Sequence, residues 1–477
     1  MQKISRRVAG LFGIALISSL SACGNGGGDV GLTAPVVPPL PPPPPSPPAP
    51  TLVSISVTPA TSSIDAVDTQ QYVATGTYSD GGKKDLSSTV SWTTSDSAKA
   101  TVSTAGLVTA ANSGSITVSA TSAGVAPSLG SLTITPTVWK LTEKMNGPRA
   151  QHGAVLLPSG LLLIAGNSAV SAELYNPSTA TWSATGPMVN NRALHHMVLL
   201  QTGKVLAFAG NTGDQGSGTY TVKTELYDPE TGKWTATGDM VTGRRFHASS
   251  ILKDGRVLVA GGGNENGFLG NAEIYDPKSG LWSATTPPNV ARGFSTATLL
   301  ADGKVLMVGG VGEGGSRSVS AELYDPVAKT WTLTTGSMRE SRQQHTATLL
   351  QNGKVMVIGG RTGGGNYWTA GTEIYDPATQ LWTQGESLVS ARSVHTANLM
   401  PNGSVIVAGG EVGVENGQVP LTTLSTSETF GPAAGAPTQK TMNSARTFHT
   451  STRLTNGRLL AIGGGGSATS ASSSEVL

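Results

Sequence analysis

His345-Thr-Ala-Thr-Leu-Leu350, Gln351-Asn-Gly353, Lys354-Val-Met-Val-Ile-Gly-Gly360, then Thr372-Glu-Ile-Tyr-Asp-Pro377 and Leu381-Trp-Thr383: this stretch decides the fold. It holds four short runs rich in β-branched and aromatic residues, separated by turn residues, and reads as strands a, b, c and d. Asn352-Gly353 suits the positive φ angles of a tight a–b hairpin. The c–d connection, Tyr375-Asp-Pro377 and the polar residues after it, has turn composition as well. Three residues before His345 stands Arg342.

Outward from there, the same order recurs from Arg149, Arg192, Arg244, Arg292, Arg392 and Arg446, so that successive copies are spaced by 43, 52, 48, 50, 50 and 54 residues. A unit of this size cannot bury its apolar face alone and must stack on its neighbours. Four antiparallel strands repeated seven times, with no helical pattern between them, predict an all-β fold, a seven-bladed β-propeller. Glycine pairs such as Gly261-Gly262 and Gly359-Gly360 end strand b, softened to Ala165-Gly166 and Ala209-Gly210 in the first two repeats. Tyr175/Trp182, Tyr227/Trp234, Tyr275/Trp282, Tyr324/Trp331 and Tyr375/Trp382 hold one phase and read as packing between blades. The last repeat stops at Glu475-Val-Leu477, a strand c without its strand d, while Val138-Trp139 before the first repeat matches a spare strand d. Residues 137–143 are therefore predicted to pair with 473–477, closing the ring and removing an exposed edge.

This order resembles the kelch propeller family, including a bacterial branch similar to the propeller of galactose oxidase, over residues 138–477. In that family Gly-Gly follows the second strand, and Tyr and Trp mark the third and fourth. Repeat six departs from it, with Phe430-Gly-Pro432 and no tryptophan afterwards, which predicts an irregular fourth strand. The family's oxidase chemistry depends on a copper-bound tyrosine crosslinked to a cysteine. The single cysteine here, Cys23, lies far outside the repeats. The resemblance thus implies the fold and not the reaction, and no cofactor or metal is assigned.

The 477-residue chain has room for several domains. Lys3, Arg6 and Arg7 precede an apolar run from Val8 to Leu20, the pattern of a secretion signal. Leu20-Ser21-Ala22-Cys23 resembles the bacterial lipoprotein cleavage box, which implies a signal peptide over 1–22 and lipidation of Cys23. Gly24 rather than aspartate at the next position favours an outer-membrane anchor, facing the periplasm or the cell surface. An exported chain with one cysteine has no internal disulfide, so packing alone holds the fold. Residues 23–50 are a Gly/Pro-rich linker in which Pro41-Pro-Pro-Pro-Pro45 reads as an extended spacer.

Residues 51–136 contain short alternating strands such as Val53-Ser-Ile-Ser-Val57 and Ile116-Thr-Val-Ser-Ala120, the signature of a small β-sandwich with Trp92 as a core anchor. Tyr78-Ser-Asp-Gly81, Val90-Ser-Trp92 and Gly106-Leu-Val-Thr-Ala110 resemble the bacterial Ig-like group 2 family, whose members mostly act as spacers and sometimes as adhesive modules. The formal net charge is +2, and loss of residues 1–22 removes three cations and no acid, leaving about −1. With no basic cluster interleaved with aromatics, nucleic acid is not an expected partner.

Arg-x-x-His recurs as Arg149/His152, Arg192/His195, Arg244/His247, Arg342/His345, Arg392/His395 and Arg446/His449, while repeat four has Arg292/Ser295. A metal or anion site on the channel axis is one reading. Against it stands Glu173, Glu225, Glu273, Glu322, Glu373, Glu428 and Glu475, one per repeat at fixed phase. Seven Arg and seven Glu predict an ion pair built into every blade, because buried charges persist when paired. The Arg and His residues are accordingly assigned a structural role.

Asymmetry lies instead in the b–c loops, where binding residues are placed on rigid scaffolds. Tyr220, Phe268, Tyr367 and Trp368 are the candidate ligand-binding residues, with Tyr367-Trp368 as a stacking platform for a sugar or an anchor for a protein. The alternative for Trp368 is cover for a neighbouring blade edge. Glu265, Glu313, Glu411 and Glu415 break the repeat phase and are the acids that a glycoside-cleaving enzyme would use. The expectation is a cell-envelope lipoprotein that binds glycans or a protein partner without catalysis, with a carbohydrate-active enzyme as the alternative.

Overall fold

A computed structural model describes residues 47–477 apart from 168–169, 213–218, 364–366, 414–420, 432–436 and 467. The signal, lipidation and most linker assignments, Cys23 among them, lie outside the described residues, as does Glu415. Pro50–Leu477 forms one compact unit.

Its first part is a sandwich of short strands. Thr61–Asp65 runs parallel to Ser128–Thr135, which pairs antiparallel with Gly114–Thr121, while Leu52–Thr58 pairs with Val73–Tyr78. Alternation places Ala74, Val118 and Leu132 inside with full burial. The anchor at the centre is Tyr72, fully buried with its hydroxyl 2.8 Å from Ser62 Oγ. Trp92, expected there, only packs against this core and donates Nε1 to the Ser87 carbonyl at 2.8 Å. Its indole N–H needs a polar partner, which holds it towards the sandwich margin.

From Lys140 onward the described residues form seven four-stranded antiparallel sheets, each in the order a-b-c-d. Repeat five gives Thr346–Leu349, Val355–Ile358, Thr372–Asp376 and Leu381–Gln384. Strand b is buried along its whole length, as in Val355–Ile358, because sheets stack on both of its faces. Successive a strands lie beside one another around the axis. Lys140 and Leu141 pair with Val476 and Glu475, so the last sheet joins the chain's two distant segments through a two-residue strand d.

Between sheets the aromatic pairs do the packing. Tyr227 and Trp234 of blade two cover Leu157 and Leu163 of blade one. Thr185 Oγ1 of blade one lies 2.8 Å from the Tyr227 hydroxyl across the same seam. Repeat six departs from its predicted irregularity: Thr438–Thr441 pairs regularly with Thr426–Phe430. A backbone ladder needs no tryptophan; only the seam loses it. Two further differences concern repeats one and seven. The strand-b exit of blade one is Gly166-Asn167, with φ +87° and +80°, rather than Ala165-Gly166. A short helix, Ala468–Ser472, leads into strand c of blade seven, where strands alone were expected.

The Ig-like sandwich is seated on the a–b turns of blades six and seven. Asn402 is buried and donates Nδ2 to the Ala110 carbonyl at 2.9 Å, and Arg458 pairs with Asp65 at 3.1 Å. Val67 enters the propeller's own apolar cluster beside Met400, Ile406 and Trp139.

Candidate functional site

The repeated arginines are interior struts. All seven are buried and paired with the glutamate of their own blade, at 2.6–2.8 Å for Arg149–Glu173, Arg192–Glu225, Arg244–Glu273, Arg292–Glu322, Arg342–Glu373 and Arg446–Glu475, and likewise for Arg392–Glu428. Each also donates Nη1 to a carbonyl 17 residues on, from Gly166 in blade one to Gly463 in blade seven. That carbonyl belongs to the strand-b exit, where a Cβ on Gly261 would stand 2.2 Å from the Arg292 carbonyl oxygen of the next blade. A small residue is needed at that approach, glycine in six blades and Ala209, at φ +59°, in blade two. The arginines therefore present no positive ring to the channel.

Beneath the channel mouth the histidines wedge between blades. A threonine one residue into strand a reaches the next blade's imidazole: Thr296–His345 at 3.1 Å, Thr346–His395 at 3.0 Å, Thr396–His449 at 3.1 Å and Thr450–His152 at 2.8 Å. Gly153, His196 and Ala248 replace that threonine in blades one to three, and there His195 and His247 lack such a bond. The His196 and His247 rings instead lie 4.2 Å apart. Burial holds His152, His345 and His449 at a pKa of about 3 and His196 at about 4, and pushes His195, His247 and His395 well below the usual value. At neutral pH these imidazoles are uncharged. Among the described residues no three His, Cys, Asp or Glu side chains converge to hold a metal ion.

Immediately before each of these positions the backbone turns left-handed. Gln151, Leu194, Phe246, Phe294, Gln344, Val394 and Phe448 have φ between +52° and +57°, one residue per blade. Such angles are costly for residues other than glycine, most of all for a β-branched valine. Backbone hydrogen bonds run from blade to blade through this ring: Gln151 N to Phe448 O at 2.9 Å, Leu194 N to Gln151 O at 3.0 Å, Phe294 N to Phe246 O at 2.8 Å. The seven side chains, above the imidazoles, line an axial cavity of about 310 Å³. Among the described residues that line it, none is charged at neutral pH. Phe246 and Phe294 stack at 3.9 Å on one side, and Gln151 and Gln344 bring amides to others.

The loop aromatics form a collar behind this ring. Arg245, which precedes Phe246, lies 5.4 Å over the Tyr220 ring. Phe268 packs on Gly293, which precedes Phe294: a Cβ there would meet its ring at 2.9 Å. Trp368 donates Nε1 to Ser393 Oγ at 3.0 Å, just before Val394, with Arg361 4.7 Å over its face. Trp368 thus packs on the neighbouring blade edge, half-buried. Tyr367, 42 % exposed, faces solvent. Glu411 is buried in a 2.5 Å pair with Arg361, whereas Glu265 and Glu313 are exposed, so the structure does not gather these acids into one cleft. Sequence reasoning missed the seven ring residues. They occupy the second of the two variable positions in the Arg-x-x-His motif.

Residues 195–410 match the KLHDC2/KLHL20/DRC7 Kelch-repeats domain, and residues 52–129 match the bacterial Ig-like domain (group 2). Among curated proteins, Kelch-like protein terF of Aspergillus terreus is 29% identical over 127 residues, 24% of this chain and 27% of that protein. F-box protein AFR of Arabidopsis thaliana is 33% identical over 94 residues, 19% of this chain and 24% of its own length. The chain spans about a quarter of the length of these relatives. Among solved structures, a fungal alcohol oxidase of the AA5 family in complex with copper aligns at TM-score 0.56 and 20% identity, over 71% of this chain and 76% of that one. That likeness concerns the fold alone.

Proposed function

We propose that this chain, in which a kelch-repeat propeller follows a bacterial Ig-like group 2 domain, is a non-catalytic binding module of the cell envelope that takes the uncharged end of a glycan into its axial pocket. The observation that carries the reading is the ring of seven left-handed residues lining one cavity. Backbone strain of this kind persists where a site over-determines it. Aromatic faces beside amides and neutral imidazoles, with no charge among the described lining residues, suit a sugar ring that stacks on one side and hydrogen-bonds on the other. The size of the cavity, about 310 Å³, suits a terminal sugar rather than an extended chain. The lipoprotein box at Cys23 supports export and anchoring, with the Ig-like domain as the stalk.

The test is a glycan array probed with the protein lacking residues 1–27, beside a Phe246→Ala/Phe294→Ala variant and a Tyr367→Ala variant. Signal lost only in the phenylalanine variant, with its melting curve still cooperative, is the expected outcome. Signal lost only with Tyr367 would move the site to the outer loops, and no signal would overturn glycan recognition.

A further inference from the structure

Six of the seven seams between blades are filled by an indole: Trp139, Trp182, Trp234, Trp282, Trp331 and Trp382. The seam between blades five and six is not. In blade six the ladder runs to Thr429↔Thr438, and the next position, opposite Phe430, is Pro437 where other blades carry tryptophan. The walls of the seam are nevertheless kept. Between blades one and two, Leu157, Leu163, Leu174, Val205 and Tyr227 surround Trp234. Their repeat equivalents Leu350, Met356, Ile374, Val405 and Phe430 line a cavity of about 370 Å³. It opens beside the a–b turns, through Gln351, Asn352 and Gly403, at the opposite end of strand a from the axial pocket.

In three of the six filled seams the indole also has a hydroxyl partner. Trp139, Trp182 and Trp282 donate Nε1 to the hydroxyl just before the preceding blade's glutamate, Ser427, Ser474 and Thr224, at 2.8, 3.2 and 3.3 Å. The equivalent hydroxyl in blade five is Thr372, whose own proton goes to the Glu386 carbonyl at 2.7 Å, leaving its oxygen free to accept. Among the described residues that line the cavity, only Glu386 is charged.

We infer that the seam between blades five and six is a binding site for a planar aromatic ligand of indole size that carries a ring N–H and no negative charge. An apolar cavity shaped for a ring it does not contain takes up a free ring of the same shape, as engineered apolar cavities bind benzene. The Leu350, Met356, Ile374, Val405 and Phe430 side chains supply the contact surface and Thr372 the acceptor. Glu386 at the mouth disfavours anionic ligands. This site is independent of glycan binding on the axis.

Indole is titrated into the full chain by calorimetry, beside Pro437→Trp, which supplies the missing ring covalently. Saturable one-site binding with a Kd below about 1 mM is expected for the natural chain. Pro437→Trp should weaken it at least tenfold and raise the melting temperature. Indole-3-acetate should bind more weakly than tryptamine. If Pro437→Trp does not fold, an NMR cross-peak between bound indole and the Met356 methyl group decides the matter. Absence of saturable binding, or undiminished affinity in Pro437→Trp, or binding without the Met356 contact, overturns the assignment.

Discussion

A buried imidazole illustrates what one residue contributes here. His152, His345 and His449 titrate at about 3 in the fold, because burial disfavours the charged ring, against 6.5 when exposed. Below pH 6.5 the unfolded chain therefore binds more protons than the native one. Stability is complete above that pH and is lost as pH falls towards 3, at about 1.4 kcal/mol per pH unit for each such histidine. Melting temperatures measured from pH 7.5 to 5.0 should fall steeply below 6.5, with a slope equivalent to several protons. A flat profile would mean that the histidines are hydrated or charged in the native state. The Arg–Glu pairs were legible in the sequence because seven acids and seven bases keep one phase. The pocket ring was not, because reading repeats looks for sameness and the ring occupies one of two adjacent positions that vary. Nor does any residue type announce a left-handed Phe246 or Val394.

At the level of elements, the strands and their order were legible from the alternation of apolar residues and the turn dipeptides. What escaped was set by tertiary contacts. Asn402-Gly403 reads as one more hairpin turn, yet Asn402 is the residue that seats the Ig-like domain through the Ala110 carbonyl. Val67, between the strands Thr61–Asp65 and Thr69–Gln71, is 3% exposed inside a propeller cluster. Such burial couples the two domains. Val67→Asp should cost on the order of 3 kcal/mol, the usual range for an unpaired charge in an apolar cluster. Scanning calorimetry should then resolve two transitions where the natural chain gives one. A single transition at an unchanged temperature would show that the Ig-like domain does not lean on the ring.

For the molecule as a whole, geometry divides labour between two ends of the strands. The a–b turn end carries the seated Ig-like domain and the indole-sized seam, while the other end carries the axial pocket and its aromatic collar. Fixing the sandwich at the turn end orients the pocket away from the domain that precedes it. The repeat itself, through its ion pairs and aromatic seams, holds the ring rigid enough to keep seven strained residues in place. The most direct test of that account is to measure stability and binding together in Val394→Gly. Glycine removes the strain at φ +54° and also the pocket's wall at blade six. The account predicts a melting temperature unchanged or higher, by up to about 1 kcal/mol in stability, with affinity for the array-selected glycan reduced at least tenfold. A destabilised variant that binds as before would contradict it, because the left-handed ring would then serve the fold and not the ligand.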